Sequence, residues 1–340
     1  MARRLDARKP GFESGFAALI GAKRETEEDV ALAVREIIAD VRARGDAALI
    51  ELSEKFDHVR LMPDTLKVAA AEIDGAEKSC TKQAREALDL AARRIEAYHR
   101  RQLPKDEWFT DDTGAKLGWR WTPLDSVGLY VPGGTAAYPS SVLMNAVPAR
   151  VAGVSRIVMV TPASGGAINP LVLAAARRAG VSEIYRIGGA QAIAALAFGT
   201  ATIAPVDKVV GPGNAYVAAA KREVFGHVGI DSVAGPSEIL VVADKDNNPD
   251  WIAADLLSQA EHDASSQSVL ITDDEAFAAQ VEASVARTLA LLPRKEIAGA
   301  SWNDHGAVIL VKRLGDVVGQ SSAFDWLAAV SLGSHRSTRK

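Results

Sequence analysis

The sequence predicts an α/β protein in which mostly parallel sheets are flanked by helices, with an N-terminal helical region in front of them. Three observations support this prediction. The first third of the chain has helical periodicity, short β-branched runs alternate with Ala-rich segments from about residue 127, and one helix-to-strand junction occurs twice in that part. Such alternation is typical of a parallel sheet with helices on both faces.

Two apolar patterns indicate helices in the N-terminal region. In the first, apolar residues recur at helical spacing between residues 30 and 41. A capping pattern at Thr26 and Asp29 precedes it, and Gly45 is its expected end. The second pattern runs from about residue 84 to about residue 98, with Arg and Glu on the opposite face. These charges are interpreted as a solvated surface.

Seven short apolar runs are the strand candidates. They cover residues 127–131, 157–160, 184–187, 208–210, 239–242, 269–272 and 307–311. Ala152-Gly153-Val154-Ser155-Arg156-Ile157 recurs 27 residues later as Ala179-Gly180-Val181-Ser182-Glu183-Ile184. An Ala-Gly pair suits a helix end and the following residues begin a strand, so the repeat fits one βαβ crossover.

Composition and charge exclude several classes of protein. A net charge of −4 argues against a nucleic-acid partner. Cys80 is the single cysteine, so no intrachain disulfide is possible, and its polar, helix-like surroundings favour a structural thiol over a nucleophile. The basic N-terminus is not followed by an apolar stretch, and no run has the length of a membrane span. We therefore expect a cytoplasmic protein that does not bind membranes.

Three glycine turns follow predicted strands and are candidates for ligand contact. They are Val131-Pro132-Gly133-Gly134-Thr135, Ile187-Gly188-Gly189-Ala190-Gln191 and Val210-Gly211-Pro212-Gly213-Asn214. In open α/β sheets ligands bind at the carboxyl ends of strands, and glycines let backbone N–H groups approach a phosphate. The same turns could equally be tight connections that bind nothing. The sequence has neither a Gly-x-Gly-x-x-Gly motif nor a Walker loop.

Two polar segments could carry chemistry. Ser237 lies in a Gly-Pro turn directly before a predicted strand, where its hydroxyl could bind a substrate or only stabilise the turn. Gln259 and His262 lie three residues apart near the end of a helix predicted to begin near Asp250, so they project from one face. That pair could be metal ligands, although glutamine is an uncommon zinc ligand and a lone helical histidine is more often structural.

Several of these segments together closely resemble the histidinol dehydrogenase family. The signature runs from Ile230-Asp231 through Ala234-Gly235-Pro236-Ser237-Glu238-Ile239-Leu240 to Ser258-Gln259-Ala260-Glu261-His262. The stretch from Gly128 to Ser141 and Val210-Gly211-Pro212-Gly213-Asn214 are also similar to that family. The resemblance extends from about residue 20 to about residue 317.

The resemblance implies an NAD-dependent, zinc-containing oxidoreductase of histidine biosynthesis, built from incomplete Rossmann-like domains. Such enzymes oxidise histidinol to histidinaldehyde and then to histidine, and they are homodimers. Carried over by motif, Tyr130, Gln191 and Asn214 would bind the cofactor. Ser237, Gln259 and His262 would bind histidinol, and the last two would also bind zinc.

The implied domains divide the chain into four parts. Residues 1–126 are the helical first part of domain 1, residues 127–236 are an α/β NAD-binding domain 2, and residues 237–318 continue domain 1. The remaining residues 319–340 diverge from the family pattern, are rich in Ser and Arg near their end, and are expected to be a disordered tail.

The divergent tail lacks the Glu-His pair that serves the family as acid and base, so no catalytic residue is assigned. It also lacks the Asp and the later His that complete the family zinc site. We therefore expect a truncated or frame-shifted family member with doubtful activity, poor zinc binding and weakened dimerisation. Two alternatives remain: an NAD-dependent dehydrogenase of sulfonated diols, and a non-catalytic remnant that at most binds NAD.

Overall fold

A computed structural model describes residues 2–21, 24–133, 138–233, 238–316 and 330–332. In chain order the strands are β1 Arg3–Asp6, β2 Glu107–Thr110, β3 Lys116–Trp119, β4 Ser126–Tyr130, β5 Arg156–Val160, β6 Glu183–Tyr185, β7 Lys208–Val210, β8 Gly229–Ile230, β9 Glu238–Val242, β10 Gln267–Thr272, β11 Ala307–Leu310 and β12 Val330–Leu332. The helices are α1 Phe12–Gly21, α2 Arg24–Arg44, α3 Asp46–Asp57, α4 Ala70–Ser79, α5 Lys82–Arg100, α6 Pro139–Val151, α7 Pro170–Ala179, α8 Gly189–Phe198, α9 Ala215–Val224, α10 Pro249–Ala260, α11 Glu275–Leu289 and α12 Lys295–Asp304.

Backbone proximity divides the chain into two compact units. The first unit combines Met1–Thr26 with Gly235–Lys340, and the second contains Glu27–Ala234. Each unit has its own five-stranded sheet, and every strand pair in both sheets is parallel. The predicted fold class, mostly parallel sheets flanked by helices, is confirmed.

The sheet of the second unit has the order β6-β5-β4-β7-β8 and buries both faces. Alternation along β5 shows this: Ile157 and Met159 pack into one core, whereas Val158 and Val160 pack into the other. Helices α2, α3, α8 and α9 contribute to the core of Val158, and α4 to α7 contribute to the core of Ile157. Cys80 is buried in this second core.

The sheet of the first unit has the order β1-β11-β10-β9-β12 and is likewise covered on both sides. Leu270 and Val308 pack with α10, α11 and α12, whereas Val269 and Ile309 pack on the opposite face with α1. Apolar residues at successive strand positions point to opposite faces, so these continuous apolar runs need helices on both sides. None of the helices within the described ranges is long and apolar enough to cross a membrane.

The repeated junction has the same local structure in both copies. Gly153 follows α6 with φ of 90°, and Gly180 follows α7 with φ of 79°. The N–H of Val154 donates to Ala149 O at 3.1 Å, and the N–H of Val181 donates to Ala176 O at 3.0 Å. This is the Schellman helix ending, which glycine favours because it adopts the left-handed region at little cost.

All seven predicted strands are present, with ends that differ by one or two residues. Helix α2 ends before Gly45 as expected, but it begins at Arg24, so the expected cap at Thr26 is wrong. Helix α5 extends two residues beyond the prediction at each end, and the Thr81 hydroxyl caps it by accepting the N–H of Ala84 at 3.2 Å.

The main differences from the sequence analysis concern what the elements pack against. Residues 27–126 were expected to belong with the chain after residue 237, but they lie in the second unit. Helical periodicity identifies a buried face without naming the surface that covers it. Strand β1 and the hairpin of β2 and β3 were not predicted. Residues 330–332, expected to be disordered, form β12 and pair with Leu240–Val242.

Candidate functional site

The carboxyl edge of the second unit's sheet has the geometry of a ligand crevice. Strand β4 is central: its connection leads to β5 on one side, while β7 adjoins it on the other. The chain therefore reverses its direction of progress across the sheet between β4 and β7. In open α/β sheets such a reversal leaves a crevice outside the strand ends, where ligands bind.

Tyr130 ends β4 beside this crevice and contacts two of the glycine turns. Its side chain is buried, and its hydroxyl accepts the N–H of Gly189 at 3.1 Å. Burial raises the pKa of Tyr130 to about 12; the bond from Gly189 lowers it slightly and the negative charge of Asp57 raises it. The hydroxyl is therefore protonated at neutral pH and can act as a donor, not as a base.

Gln191 lies in the first turn of α8, directly after the Gly188-Gly189 turn. It is 1% exposed, and its Oε1 lies 2.6 Å from the position that a Cβ on Gly189 would occupy. Gly189, with φ of 64°, must be glycine for the amide to fold over the turn.

The turn after β7 is pressed against the end of β4. Gly211 has φ of 113°, and a Cβ there would lie 2.1 Å from the backbone oxygen of Tyr130. Asn214, three residues on, is exposed and caps α9: its Oδ1 accepts the N–H of Val217 at 3.1 Å. Its side-chain NH₂ remains as a donor at the N-terminus of a helix, where negative ligand groups are favoured.

The glycine turn after β4 also lies close to neighbouring backbone. A Cβ on Gly133 would lie 2.6 Å from the backbone oxygen of Pro162, and one on Gly188 would lie 2.6 Å from Pro162 Cβ. The turns after β4, β5 and β6 are thus packed together at one edge. Tyr130 and Gln191 lie in or next to these turns, and Asn214, the remaining predicted cofactor residue, lies in the turn after β7. Residues 134–137 of the turn after β4 lie outside the described residues.

An ion pair between a buried lysine and a partly exposed aspartate supports the Gly211 turn and was not identified from the sequence. Lys221 on α9 is 2% exposed; its Nζ donates to Gly211 O at 3.1 Å and forms an ion pair with Asp231. Asp231 Oδ2 in turn accepts the N–H of Gly211 at 2.8 Å. The available signal was the position of Lys221, four residues after Val217 on the apolar face of α9.

The predicted substrate and metal residues lie in the first unit. Gln259 is in the last turn of α10, and His262 lies just after the helix, where its N–H donates to Gln259 O at 3.1 Å. Helix α10 runs from the end of β9 to the start of β10, and Gln267 pairs in register with Glu238. Both residues therefore lie towards the amino edge of this sheet, the edge at which β9 begins. Ser237 lies outside the described residues.

Gln259 and His262 each have a polar side-chain atom that no other described residue engages. Gln259 Nε2 is buried without a hydrogen-bond partner, and in the described part of the chain the imidazole of His262 has none either. The nearby carboxylate of Asp263 is already engaged, because Oδ1 accepts the N–H and hydroxyl of Ser265. Among described residues no group of three or more His, Cys, Asp or Glu could hold a metal.

These donors do not complete a zinc site. Catalytic zinc takes three protein ligands and structural zinc takes four, whereas the described candidates are only the amide of Gln259 and the imidazole of His262. An orphaned amide beside an exposed imidazole fits a polar ligand, or part of a metal site.

Comparison with known proteins identifies the family. The family model "Histidinol dehydrogenase" matches residues 21–325. The histidinol dehydrogenase of Rhizobium meliloti (strain 1021) is 66% identical over 311 residues, which are 92% of this chain and 72% of that protein. That of Rhodopseudomonas palustris (strain ATCC BAA-98 / CGA009) is 62% identical over 323 residues, covering 95% of this chain and 75% of that protein.

A solved structure agrees with the sequence comparisons. The crystal structure of histidinol dehydrogenase from Elizabethkingia anophelis matches with a TM-score of 0.82 and 36% identity, covering 95% of this chain and 74% of that one. The family is one of oxidoreductases, and its general reaction is NAD-dependent oxidation of histidinol in histidine biosynthesis. With both its sequence and its fold matched along nearly its whole length, the chain belongs to the histidinol dehydrogenase family.

Proposed function

We propose that the second unit of this chain binds NAD, that the first binds histidinol, and that the chain oxidises histidinol to histidine through histidinaldehyde. This divides the work between the two compact units, with the NAD-binding part at residues 27–234. A biosynthetic reaction on small metabolites fits a cytoplasmic location. The assignment of individual residues follows the family motifs and is supported by the local geometry.

The observation that carries the cofactor assignment is the meeting of glycine turns at Tyr130. Its hydroxyl accepts the N–H of Gly189, and its backbone oxygen lies against Gly211. Backbone N–H groups in such turns, together with the N-terminus of α9, suit a pyrophosphate. The NH₂ groups of Gln191 and Asn214 suit the ribose hydroxyls or the nicotinamide carboxamide.

The substrate assignment rests on two side chains with unused hydrogen-bonding capacity. Gln259 and His262 are one helical turn apart, so both can contact one small molecule. Histidinol offers an imidazole, an ammonium group and a hydroxyl, which match an amide oxygen and an imidazole. Ser237 immediately precedes β9 in sequence and is the third residue that we assign to this site.

The assigned residues include no general base. Removing hydride from a carbinol requires a group that takes the hydroxyl proton. Tyr130 keeps its proton because its pKa is about 12, and amides do not titrate. The base therefore belongs to a residue outside this assigned set, and losing such a group typically lowers a rate by about 10²- to 10⁴-fold. We also propose weak zinc binding, because the donor set is incomplete.

The cofactor assignment is tested by NAD titration of matched Asn214 variants, with binding heat as the signal. Asn214→Ser keeps a side-chain oxygen to cap α9 but removes the NH₂ group, whereas Asn214→Ala removes both. We expect both variants to lose NAD affinity and only Asn214→Ala to lose thermal stability. Unchanged affinity in Asn214→Ser would show that the amide does not contact the cofactor.

The reaction is tested by following NADH during incubation with histidinol, NAD and zinc. Dihydroxypropanesulfonate in place of histidinol tests the alternative substrate class, and the histidinol dehydrogenase of Rhodopseudomonas palustris provides the reference rate. We expect NADH production with histidinol and none with the sulfonate. Faster oxidation of the sulfonate would overturn the substrate. NAD binding without any NADH from histidinol would leave the cofactor assignment standing and reject the oxidation.

We propose further that two copies of the chain form a homodimer, as the family resemblance implies. The hairpin of β2 and β3 supports this, because all its residues are exposed, including Trp108 at 70% and Trp119 at 45%. A lone two-stranded hairpin with aromatic side chains on its surface is only marginally stable in water. Light scattering should give the mass of a dimer for the wild type and a lower average mass for Trp108→Ser, whose dimer is weakened. A monomeric wild type would contradict the proposal.

A further inference from the structure

We propose that Lys221 is a positioning residue, which acts with Asp231 to hold the Gly211-Pro212-Gly213-Asn214 turn in the shape that receives the cofactor. The inference rests on the proposed NAD site and deepens it. Lys221 lies too deep to meet a ligand itself, since it is 2% exposed. Its effect on the cofactor would pass through the backbone of Gly211.

The contacts show that one ion pair holds both polar backbone groups of Gly211. Lys221 Nζ donates to the Gly211 oxygen at 3.1 Å, and Asp231 Oδ2 accepts the Gly211 N–H at 2.8 Å. Lys221 and Asp231 also pair with each other. The three groups form a closed ring, so rotation of either peptide bond of Gly211 would break a charge-assisted hydrogen bond.

The conformation held in this way is one that the turn would not keep unaided. Gly211 has φ of 113°, and it is packed so closely on the Tyr130 oxygen that no side chain fits. Glycine loses more conformational freedom than any other residue when it is ordered. Asp231 is itself held by two further hydrogen bonds. Its N–H donates to Val209 O at 3.3 Å, and its Oδ1 accepts the N–H of Ser232 at 2.7 Å. The carboxylate is thus fixed before it holds the turn.

Stability alone does not account for a lysine at this position. The neighbouring residues on the same face of α9, Val217 and Val224, are fully buried and apolar. A methionine or leucine would extend that face without the cost of burying a charge, and apolar replacements of buried ion pairs are often neutral or stabilising. What an apolar residue cannot do is donate to the Gly211 oxygen. The turn leads directly to Asn214, which is assigned to the cofactor.

The test combines NAD titration with hydrogen exchange on four proteins: the wild type, Lys221→Met, Lys221→Met/Asp231→Asn and Arg222→Met. The double variant removes both charges, so no carboxylate is left without its partner, and it keeps an acceptor for the Gly211 N–H. Arg222 is the matched control because it is the next residue on α9 and is exposed.

We expect Lys221→Met to lower both the melting temperature and the NAD affinity. The double variant should regain much of the melting temperature but bind NAD about tenfold or more weakly, the loss expected for one hydrogen bond from a charged donor. Amide exchange at residues 209–216 should be faster than in the wild type in both. Arg222→Met should match the wild type in all three measurements.

Three outcomes would overturn the inference. One is NAD affinity that recovers together with the melting temperature in the double variant, since that pattern belongs to a purely structural pair. Another is a Lys221→Met variant whose amide exchange rates and NAD affinity both stay within about twofold of the wild-type values. The third, a wild type that does not bind NAD, would reject the proposed cofactor site itself. Binding by the wild type that persists in both variants would reject only the positioning role.

Discussion

Arg156 and Glu183 occupy the same position in the two copies of the internal repeat and form an ion pair with each other. Arg156 Nε donates to Glu183 Oε1 at 2.7 Å across the neighbouring strands β5 and β6. Arg156 also donates to the oxygens of Ala204 and Pro205, and Tyr185 donates to Glu183 Oε2 at 2.6 Å. This is the one position of the repeat at which the two copies differ, and the opposite charges there join the copies.

The first prediction concerns stability in acid. Burial alone would raise the pKa of Glu183, but the bonds from Arg156 and Tyr185 outweigh it and hold the pKa below its usual 4.5. A lowered carboxyl pKa adds stability that is present above the unfolded pKa and lost as pH falls through the folded one. Glu183→Gln should cost about 1–3 kcal/mol at pH 7. It should also flatten the fall in unfolding free energy below pH 4.5.

Urea unfolding over about four pH units, from pH 3 to pH 7, measures the free energy of unfolding of each variant. Glu86→Gln is the control, because Glu86 is 65% exposed and pairs only loosely with Lys82 at 3.8 Å. Such surface pairs contribute about 0–1 kcal/mol. Equal losses of unfolding free energy in the two variants would show that the pair of Arg156 and Glu183 contributes no more than a surface pair.

The second prediction separates crowding from backbone strain at two glycines. Gly211 and Gly226 both have positive φ, 113° and 97°. A Cβ on Gly211 would lie 2.1 Å from the Tyr130 backbone oxygen, whereas a Cβ on Gly226 would meet nothing within 4 Å. Gly226→Ala should therefore cost about 1–3 kcal/mol from strain alone. Gly211→Ala should cost about 1–3 kcal/mol more and should weaken NAD binding.

Chemical denaturation of the two variants and the wild type gives the comparison. Similar destabilisation in both would mean that the end of β4 yields to the added methyl group. In that case the turn after β7 would be more pliable than the contacts with Tyr130 indicate.

The third prediction concerns alkaline pH. Burial raises the pKa of Tyr130 from 10.0 to about 12. The unfolded chain loses this proton near pH 10 while the folded chain retains it, so stability falls as pH rises between these two values. Tyr130→Phe should remove part of that fall in stability. It should also lower the free energy of unfolding at neutral pH by about 1 kcal/mol, because the hydrogen bond from Gly189 is lost.

Ultraviolet absorbance of tyrosinate during an alkaline titration follows the ionisation directly. Tyr98→Phe is the control, since Tyr98 is 63% exposed. We expect the Tyr130 variant to lose a late step and the Tyr98 variant to keep it. Loss of an early step in Tyr130→Phe would show that its hydroxyl is open to water.

The fourth prediction distinguishes a binding role from a structural role for His262. Its side chain is exposed, so His262→Ala should change stability by no more than about 0.5 kcal/mol. Histidinol affinity, measured by calorimetry with and without zinc, should fall. His99→Ala is the control, a partly exposed histidine on α5 that hydrogen-bonds to Gln102. Unchanged histidinol affinity in His262→Ala would remove this residue from the site.

The amino-acid sequence determined the elements whose signal is local. The run at β5 and the Ala-Gly ending before it were both recognised, because apolar alternation and helix-ending glycines are set by neighbouring residues. Tyr130, Gln191 and Asn214 came from family motifs, and their shared position beside the glycine turns was foreseeable because strand ends in a parallel sheet meet at one edge.

Only the tertiary structure decided which surfaces meet. Strand β1, with the sequence Arg-Arg-Leu-Asp, has no strand pattern of its own and is ordered by pairing with β11. Helices α2 to α5 cover the second sheet, although their periodicity fits any apolar surface. Lys221 and Asp231 lie ten residues apart in sequence, and only the packing of α9 under the Gly211 turn makes them partners. Periodicity records that a face is buried, whereas the partner depends on contacts between residues far apart in the chain.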